Sequence, residues 1–473
     1  MKKTNLKAMW IGSAKKSETK PLSFQPYQEP IKSLGINLSY NQDRNNNLNF
    51  FVKIHKMNTK LNMRQTRDLT SYGHTMLVKS LGISKIVYVA SVLSVPETVI
   101  KTVQDRIFKF LWKNKRDKVK RAVIYQPFSH GGINFPDIHN VVKSLRLSWI
   151  GRFLNCANET WRAIPNSYFT KHGGLPFLLK CNYDSKHFDK KMPLFYKEIL
   201  DYFKEVRNGY PDVYNSDLIL WNNKEITIES KSIFWKCLFD KRIYFIQDLL
   251  NRDGKFLSLE TIQRKYNVQL NYLKYFQLIA AIPNYLKRKA QATGVTDSNI
   301  FDEWDTFYLS ENKFISLTKC RCKDYYKLLQ EKIRTEPTAV KRWCRHFPNF
   351  DSSWKQILQK IYQTTSDKKL REFGYKAFHR ILVTNKELKL FKIKNDDMCF
   401  QCKDLDSLEH TFLECPMNVQ FYQEILLWFN TLNNTHINLS VDQIFLQNYP
   451  PPAISDVLRC RLDLLILLTK RYI

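Results

Sequence analysis

Ile100, Val103, Ile107, Phe110 and Leu111 recur at three- and four-residue spacing behind Pro96 and Glu97, a pair suited to a helix's first turn. The same period predicts helices over residues 50–64, over 69–92 with an interruption near Gly82, and over 141–154. Residues 155–218 hold no sustained period and read as irregular, with a turn at Gly173-Gly174. Helical patterns resume over 228–346, break at Glu336-Pro337 and Pro348, and give two more helices over 351–392. Another helix covers 419–430, and the apolar run 464–468 belongs to a helix or strand core. Ala8-Met9-Trp10-Ile11 and Ser33-Leu34-Gly35-Ile36-Asn37-Leu38 read as strands, and Gly131-Gly132 as a turn before a short strand or loop. The chain is therefore expected to be mainly α, with short β elements near its N-terminus. No internal repeat is visible.

Composition narrows the class. The 473 residues are 44% hydrophobic and 25% charged, enough to bury large cores, which excludes collagen-like and disordered chains. At this length about three domains are expected. Ten cysteines are too few for a disulfide scaffold. The first stretch is basic without an apolar core, and no run of about 18 apolar residues occurs. A reducing compartment, nucleus or cytoplasm, is expected, with no secretion and no membrane span.

Charge points to the partner. Lys plus Arg is 75 against 44 Asp plus Glu, a formal charge of +31. Residues 1–150 alone carry 26 basic and 8 acidic side chains. The densest run is Lys113, Lys115, Arg116, Lys118, Lys120 and Arg121, at the C-terminus of the Pro96 helix or in the loop beyond. A solvated turn or a localisation signal is the plain alternative, but the regional excess favours a phosphate backbone. Aromatic residues make up 14% of the chain, and the sequence does not say which of them stack on bases.

The sharpest chemical pattern is Cys399, Cys402, His410 and Cys415, a C-x2-C-x7-H-x4-C spacing. Three thiolates and one imidazole close a tetrahedral structural zinc site and leave no open position for catalysis. Cys320, Cys322, Cys344 and His346 have one-residue spacings and read as buried or incidental. No phosphate-loop, dinucleotide, nucleophile-elbow or zinc-protease motif occurs. Asp396-Asp397, an adjacent aspartate pair, lacks a preceding strand pattern and reads as loop charge.

With these residues together, the chain resembles the C-terminal half of a reverse transcriptase from a LINE-type non-LTR retrotransposon. Residues 7–13, Lys-Ala-Met-Trp-Ile-Gly-Ser, resemble the strand of the fourth palm motif, and Ile31-Lys32-Ser33-Leu34-Gly35-Ile36 the primer-grip hairpin. Phe108-Lys109-Phe110-Leu111-Trp112 with the basic run resembles the end of the thumb. Gly131-Gly132-Ile133, Pro136-Asp137 and Ser148-Trp149-Ile150 resemble the segment after the thumb. Leu220-Trp221-Asn222-Asn223-Lys224 and Gly254-Lys255-Phe256-Leu257-Ser258 resemble the linker. Residues 354–429 resemble the reverse-transcriptase-associated zinc-binding domain.

The resemblance implies a palm tail over 1–40, a basic helical thumb over 41–154, a helical linker over 155–346, a zinc-binding domain over 347–435 and a truncated end over 436–473. It implies template RNA and primer or target DNA as partners, structural Zn2+, and Mg2+ only in a catalytic palm whose aspartates would lie before Met1. The chain alone is expected to bind and not to polymerise. A stand-alone nucleic-acid-binding relic, or a helical scaffold for an acidic protein, are the competing readings.

Overall fold

The structure is a computed structural model that describes residues 30–155, 159–189, 191–207, 215–293, 307–310, 313–348, 354–449 and 454–473. The strand expected at residues 8–11 lies outside these. The described chain is mainly helical, and its strands form two-stranded antiparallel hairpins.

The hairpin expected over residues 31–36 is present, and it extends to Leu38. Ile31–Ser33 pairs with Ile36–Leu38, Ile31 opposite Leu38. Leu34 and Gly35, between them, both adopt positive φ (46° and 81°), the condition for a two-residue turn whose twist suits the strands. The alternating stretch is therefore the end of one strand, a turn and a second strand. Asn49 holds the hairpin: its Oδ1 accepts from the Asn37 amide at 2.8 Å, and its Nδ2 donates to the Asn37 carbonyl at 2.7 Å.

Helices appear where the period is strong. The Pro96 pattern is the helix Glu97–Leu111, burying Val99, Ile100, Val103, Ile107, Phe108, Phe110 and Leu111. Ser71–Val92 is helical throughout, and the interruption expected near Gly82 is a π-helical turn, Val78–Ile83. Among the described residues this stretch alone is long and apolar enough to cross a bilayer. It carries Lys79 and Lys85 and buries Val78, Ile83, Ile86, Val89 and Ala90, as a core helix does. The region read as irregular contains a full helix, Leu194–Arg207, which buries Ile199, Leu200, Phe203 and Val206. Its apolar stripe is intact, but neighbouring Asn, Lys and Tyr dilute it. Two helices expected over 351–392 are three: Trp354–Thr364, Lys368–Phe378 and Asn385–Leu390. The third is short and starts on a capping box, with Thr384 and Glu387 bonding each other's backbone.

The chain folds into two compact units that are not sequential. One comprises Met1–Ile86, Glu97–Ile138 and Ile333–Ile473; the other comprises Val87–Pro96 and His139–Lys332. The first joins segments that the sequence reading assigns to separate domains. Within it, Gly131 takes φ +80°, and a Cβ there would come within 2.7 Å of Pro337 Cγ. His379, buried, bonds the Gly131 carbonyl through Nε2 at 2.7 Å. Burial holds the His379 imidazole down to about 4, so the ring is neutral and Nε2–H is the donor. Phe128 stacks on Tyr362 at 4.2 Å between ring centroids, and Ser71 donates through its amide and hydroxyl to Glu372.

The second unit is built on one large apolar core. Leu220-Trp221-Asn222-Asn223 lies at its centre, with Leu220, Trp221 and Asn223 wholly buried. Trp221 Nε1 donates to the Ile243 carbonyl at 2.6 Å, and Asn223 Nδ2 reaches the Asp217 and Ile219 carbonyls. This motif is an internal staple, because buried amides are stable only when bonded. Arg146 is likewise interior, with its Nε on Glu198 at 3.0 Å and its guanidinium over Phe195.

Gly132 gives the most direct test of the first unit's packing. A Cβ at this position would lie 1.9 Å from the Gln126 carbonyl oxygen, which belongs to backbone and cannot swing aside. Gly132→Ala should lower stability by about 3 kcal/mol, the upper end of overpacking costs, in thermal or denaturant unfolding. An unchanged midpoint would show that the loop is not closed on itself as described.

Candidate metal centre and basic surface

Cys399 and Cys402 sit at the end of a narrow hairpin. Met398 and Leu405 form its bridge, Cys399 N–H donates to Asp404 O at 2.7 Å, and Lys403 N–H returns to Cys399 O at 3.2 Å. Such a turn places two sulfurs on one side. Gln401 and Cys402 amides donate to the Cys399 sulfur, and the Asp404 amide donates to that of Cys402. These are donors a thiolate requires.

His410 and Cys415 come from the following segment. His410–Glu414 is a π-helical turn, closed by Cys415 N–H to His410 O at 2.7 Å. Cys415 is also the N-cap of the 18-residue helix Pro416–Asn433, whose positive end favours an anion. The His410 amide is held by Ser407 Oγ, and Asn418 Nδ2 donates to the Thr411 carbonyl.

The four donor atoms lie within 4.8 Å of one another. His410 Nε2 is 3.1 Å from Cys402 Sγ, and Cys415 Sγ is 3.9 Å from it. A zinc tetrahedron with Zn–S near 2.3 Å and Zn–N near 2.0 Å has edges of about 3.5–3.8 Å, so the set is the right size. Electrostatics agree. Burial pushes the Cys399 thiol up, but the Cys402 and Gln401 amides, His410 and Cys402 outweigh it and hold it at about 7. For Cys402 the Asp404 amide pulls down, while burial and the Cys399 and Cys415 sulfurs raise it to about 11. Three sulfurs this close cannot all be thiolates unless a cation stands between them. The donor set fits a structural divalent metal, zinc by its chemistry, and all four positions are protein ligands. Among the described residues no other group of three or more His, Cys, Asp or Glu side chains is close enough to share an ion.

Residues 321–422 match the family model described as zinc-binding in reverse transcriptase. This stretch is a reverse-transcriptase zinc-binding domain. No curated protein matches the chain. Beside the site, Leu408 and Phe412 from the ligand loop pack with Trp343, Phe378 and Phe445, a core that a bound metal would stabilise. Arg380 lies over the Trp343 ring and pairs with Glu409, one residue before the histidine ligand.

The other candidates separate cleanly. Cys322 Sγ lies 3.1 Å from Ser144 Oγ, Cys320 is buried, and Cys344 and His346 are exposed. Asp397 is paired with Lys389 at 2.9 Å, and Asp396 accepts from the Met398 amide, so the adjacent aspartates do loop work.

The basic run occupies the loop after Glu97–Leu111. Lys113, Lys115, Arg116, Lys118 and Lys120 are exposed. Arg121 is committed: its Nε bonds Asp117 at 2.7 Å, its NH1 reaches Asp105 at 3.0 Å, and its guanidinium covers Phe108. Lys113 lies 3.8 Å from Asp68, an exposed pair of little energetic weight. Lys118 is the informative one. Partial burial lowers its pKa, and the Lys376 and Lys115 ammonium groups lower it further. The Glu372 carboxylate, 3.5 Å from Lys376 Nζ, offsets part of this crowding. Lys376 comes from Lys368–Phe378, within the zinc-binding domain, and no local sequence signal couples it to the basic run.

Replacing Cys415 with Ala should reduce bound zinc, read by elemental analysis, from about one ion per chain to well below it. Amide exchange should rise first over residues 398–415 and then over the Leu408–Phe412 core. Retention of a full equivalent of zinc would remove Cys415 from the ligand set.

Proposed function

We propose that this chain is the nucleic-acid-holding part of a LINE-type non-LTR retrotransposon reverse transcriptase. In this reading it grips template RNA and primer or target DNA during RNA-directed DNA synthesis. The Mg2+-binding carboxylates of the polymerase are supplied outside it. The observation that carries the reading is the joining of a reverse-transcriptase zinc-binding domain and an exposed basic loop in one compact unit. Lys115, Lys118 and Lys376 would meet phosphates, which gives affinity without sequence preference. Zinc has a scaffolding role, since its four positions are filled by protein. Reduced thiols are needed for that role, so the reading places the protein in the nucleus or cytoplasm.

Substituting Lys115, Lys118, Lys120 and Lys376 with Gln should weaken binding to primed RNA uniformly across sequences. The slope of log affinity against log salt should shrink by about 0.7–0.9 for each lost phosphate contact. The purified chain should incorporate no dNTP on the same template. An unchanged slope removes this surface from the interface, and incorporation contradicts the division of labour.

A further inference from the structure

Phe400, between the two cysteines of the zinc hairpin, is 87% exposed. Lys403, just after the second cysteine, places its ammonium 5.5 Å from the centre of that ring. Both choices work against folding. A phenyl group in water gains nothing from burial. Lys403 occupies φ +70°, the left-handed region where a Cβ is costly and glycine is the ordinary solution. Two such residues on one four-residue tip, rigidly presented by a metal, call for a ligand that uses both an aromatic face and a cation.

The cation beside the ring narrows the ligand. Of the acidic groups on the neighbouring chain, Asp397 pairs with Lys389, Asp406 accepts from the Asn385 amide and Thr411, and Glu387 accepts from Thr384, while Asp396 and Asp404 are exposed. Lys392, Lys394 and Lys403 are exposed. Asn385, which bonds the Met398 carbonyl at 2.8 Å, also accepts from Lys394 Nζ at 2.7 Å, tying that basic segment to the hairpin. A ligand that offers a flat apolar face to Phe400 and an anionic group to Lys403 fits this tip.

We propose that Phe400 and Lys403 form a stacking site for an unpaired base of single-stranded nucleic acid, Lys403 meeting the adjoining phosphate. The site rests on the nucleic-acid reading above and deepens it. A duplex buries its base faces within the stack, so the tip selects single strands or frayed ends. The site reads no sequence, because every base has a π-face.

The test uses the full zinc-loaded chain with a short oligouridylate and an abasic strand of equal length. Phe400→Ala should weaken oligouridylate binding about tenfold, the loss of one base stack, and leave the abasic strand unaffected. Phe400→Trp should retain the parent affinity. Lys403→Gln should reduce the salt slope by about 0.7. Lys403→Gly should reduce it equally while its melting temperature equals or exceeds the parent's, since the backbone strain is relieved. Parent-like oligouridylate affinity in Phe400→Ala, or equal loss on the abasic strand, overturns the site. So does an acidic peptide that binds with the same dependence on Phe400. If those results come while the lysine variants of the basic loop still flatten the salt slope, this site falls and the nucleic-acid reading stands. If the parent binds no single strand in a salt-dependent way, both fall.

Discussion

Three sulfurs and one imidazole, held within 4.8 Å, are the constraint on which the first unit's C-terminal part depends. Without a cation the thiolates repel one another, and burial penalises each charge. A zinc ion held there would cross-link the same four groups. The cross-link fixes where the ligand loop sends its apolar residues. Leu408 and Phe412 reach Trp343, Phe378 and Phe445, and Trp343 donates to the Phe378 carbonyl at 2.8 Å. His379, the next residue, bonds the Gly131 carbonyl. A path of packed and bonded groups therefore runs from the metal to the loop beyond the basic run. Lys376, on the same helix as Phe378, lies near enough to Lys118 for its charge to act on it.

Opposing magnitudes decide the role of each basic side chain. An exposed ion pair contributes about 0–1 kcal/mol, too little to hold a cation against a phosphate. Arg121 is different, since two carboxylates and an aromatic face hold it together, and it acts as a clip at the end of the loop. Lys115 and Lys118 have no such enclosure; they are exposed, and Lys118 also feels Lys376 and Glu372. The second unit spends its polar groups inward, on Trp221, Asn223 and Arg146, which accounts for the motif around Trp221 without any ligand.

Periodicity and ligand chemistry were legible where the signal is local. The Pro96 helix and its basic tail, the zinc spacing and the Gly131-Gly132 turn all rest on residues within about one helix length of each other. What stayed hidden is non-local or diluted. The alternation at residues 33–38 alone conceals a turn that only the resemblance to a hairpin supplied, because Leu34 accepts a positive φ that its residue type does not advertise. The helix Leu194–Arg207 buries four residues among Tyr and Lys, which blur the stripe. Lys376 joins the basic surface only through the tertiary fold. Phe400 looked like any other aromatic until its exposure was known.

If zinc organises a surface that holds single-stranded nucleic acid, the affinity of the full chain for a single-stranded RNA, measured across a salt series with zinc loaded and after chelation, should be salt-dependent. It should weaken at every salt concentration once zinc is removed and return on adding it back. Equal affinity with and without zinc, or affinity independent of salt, would contradict this reading.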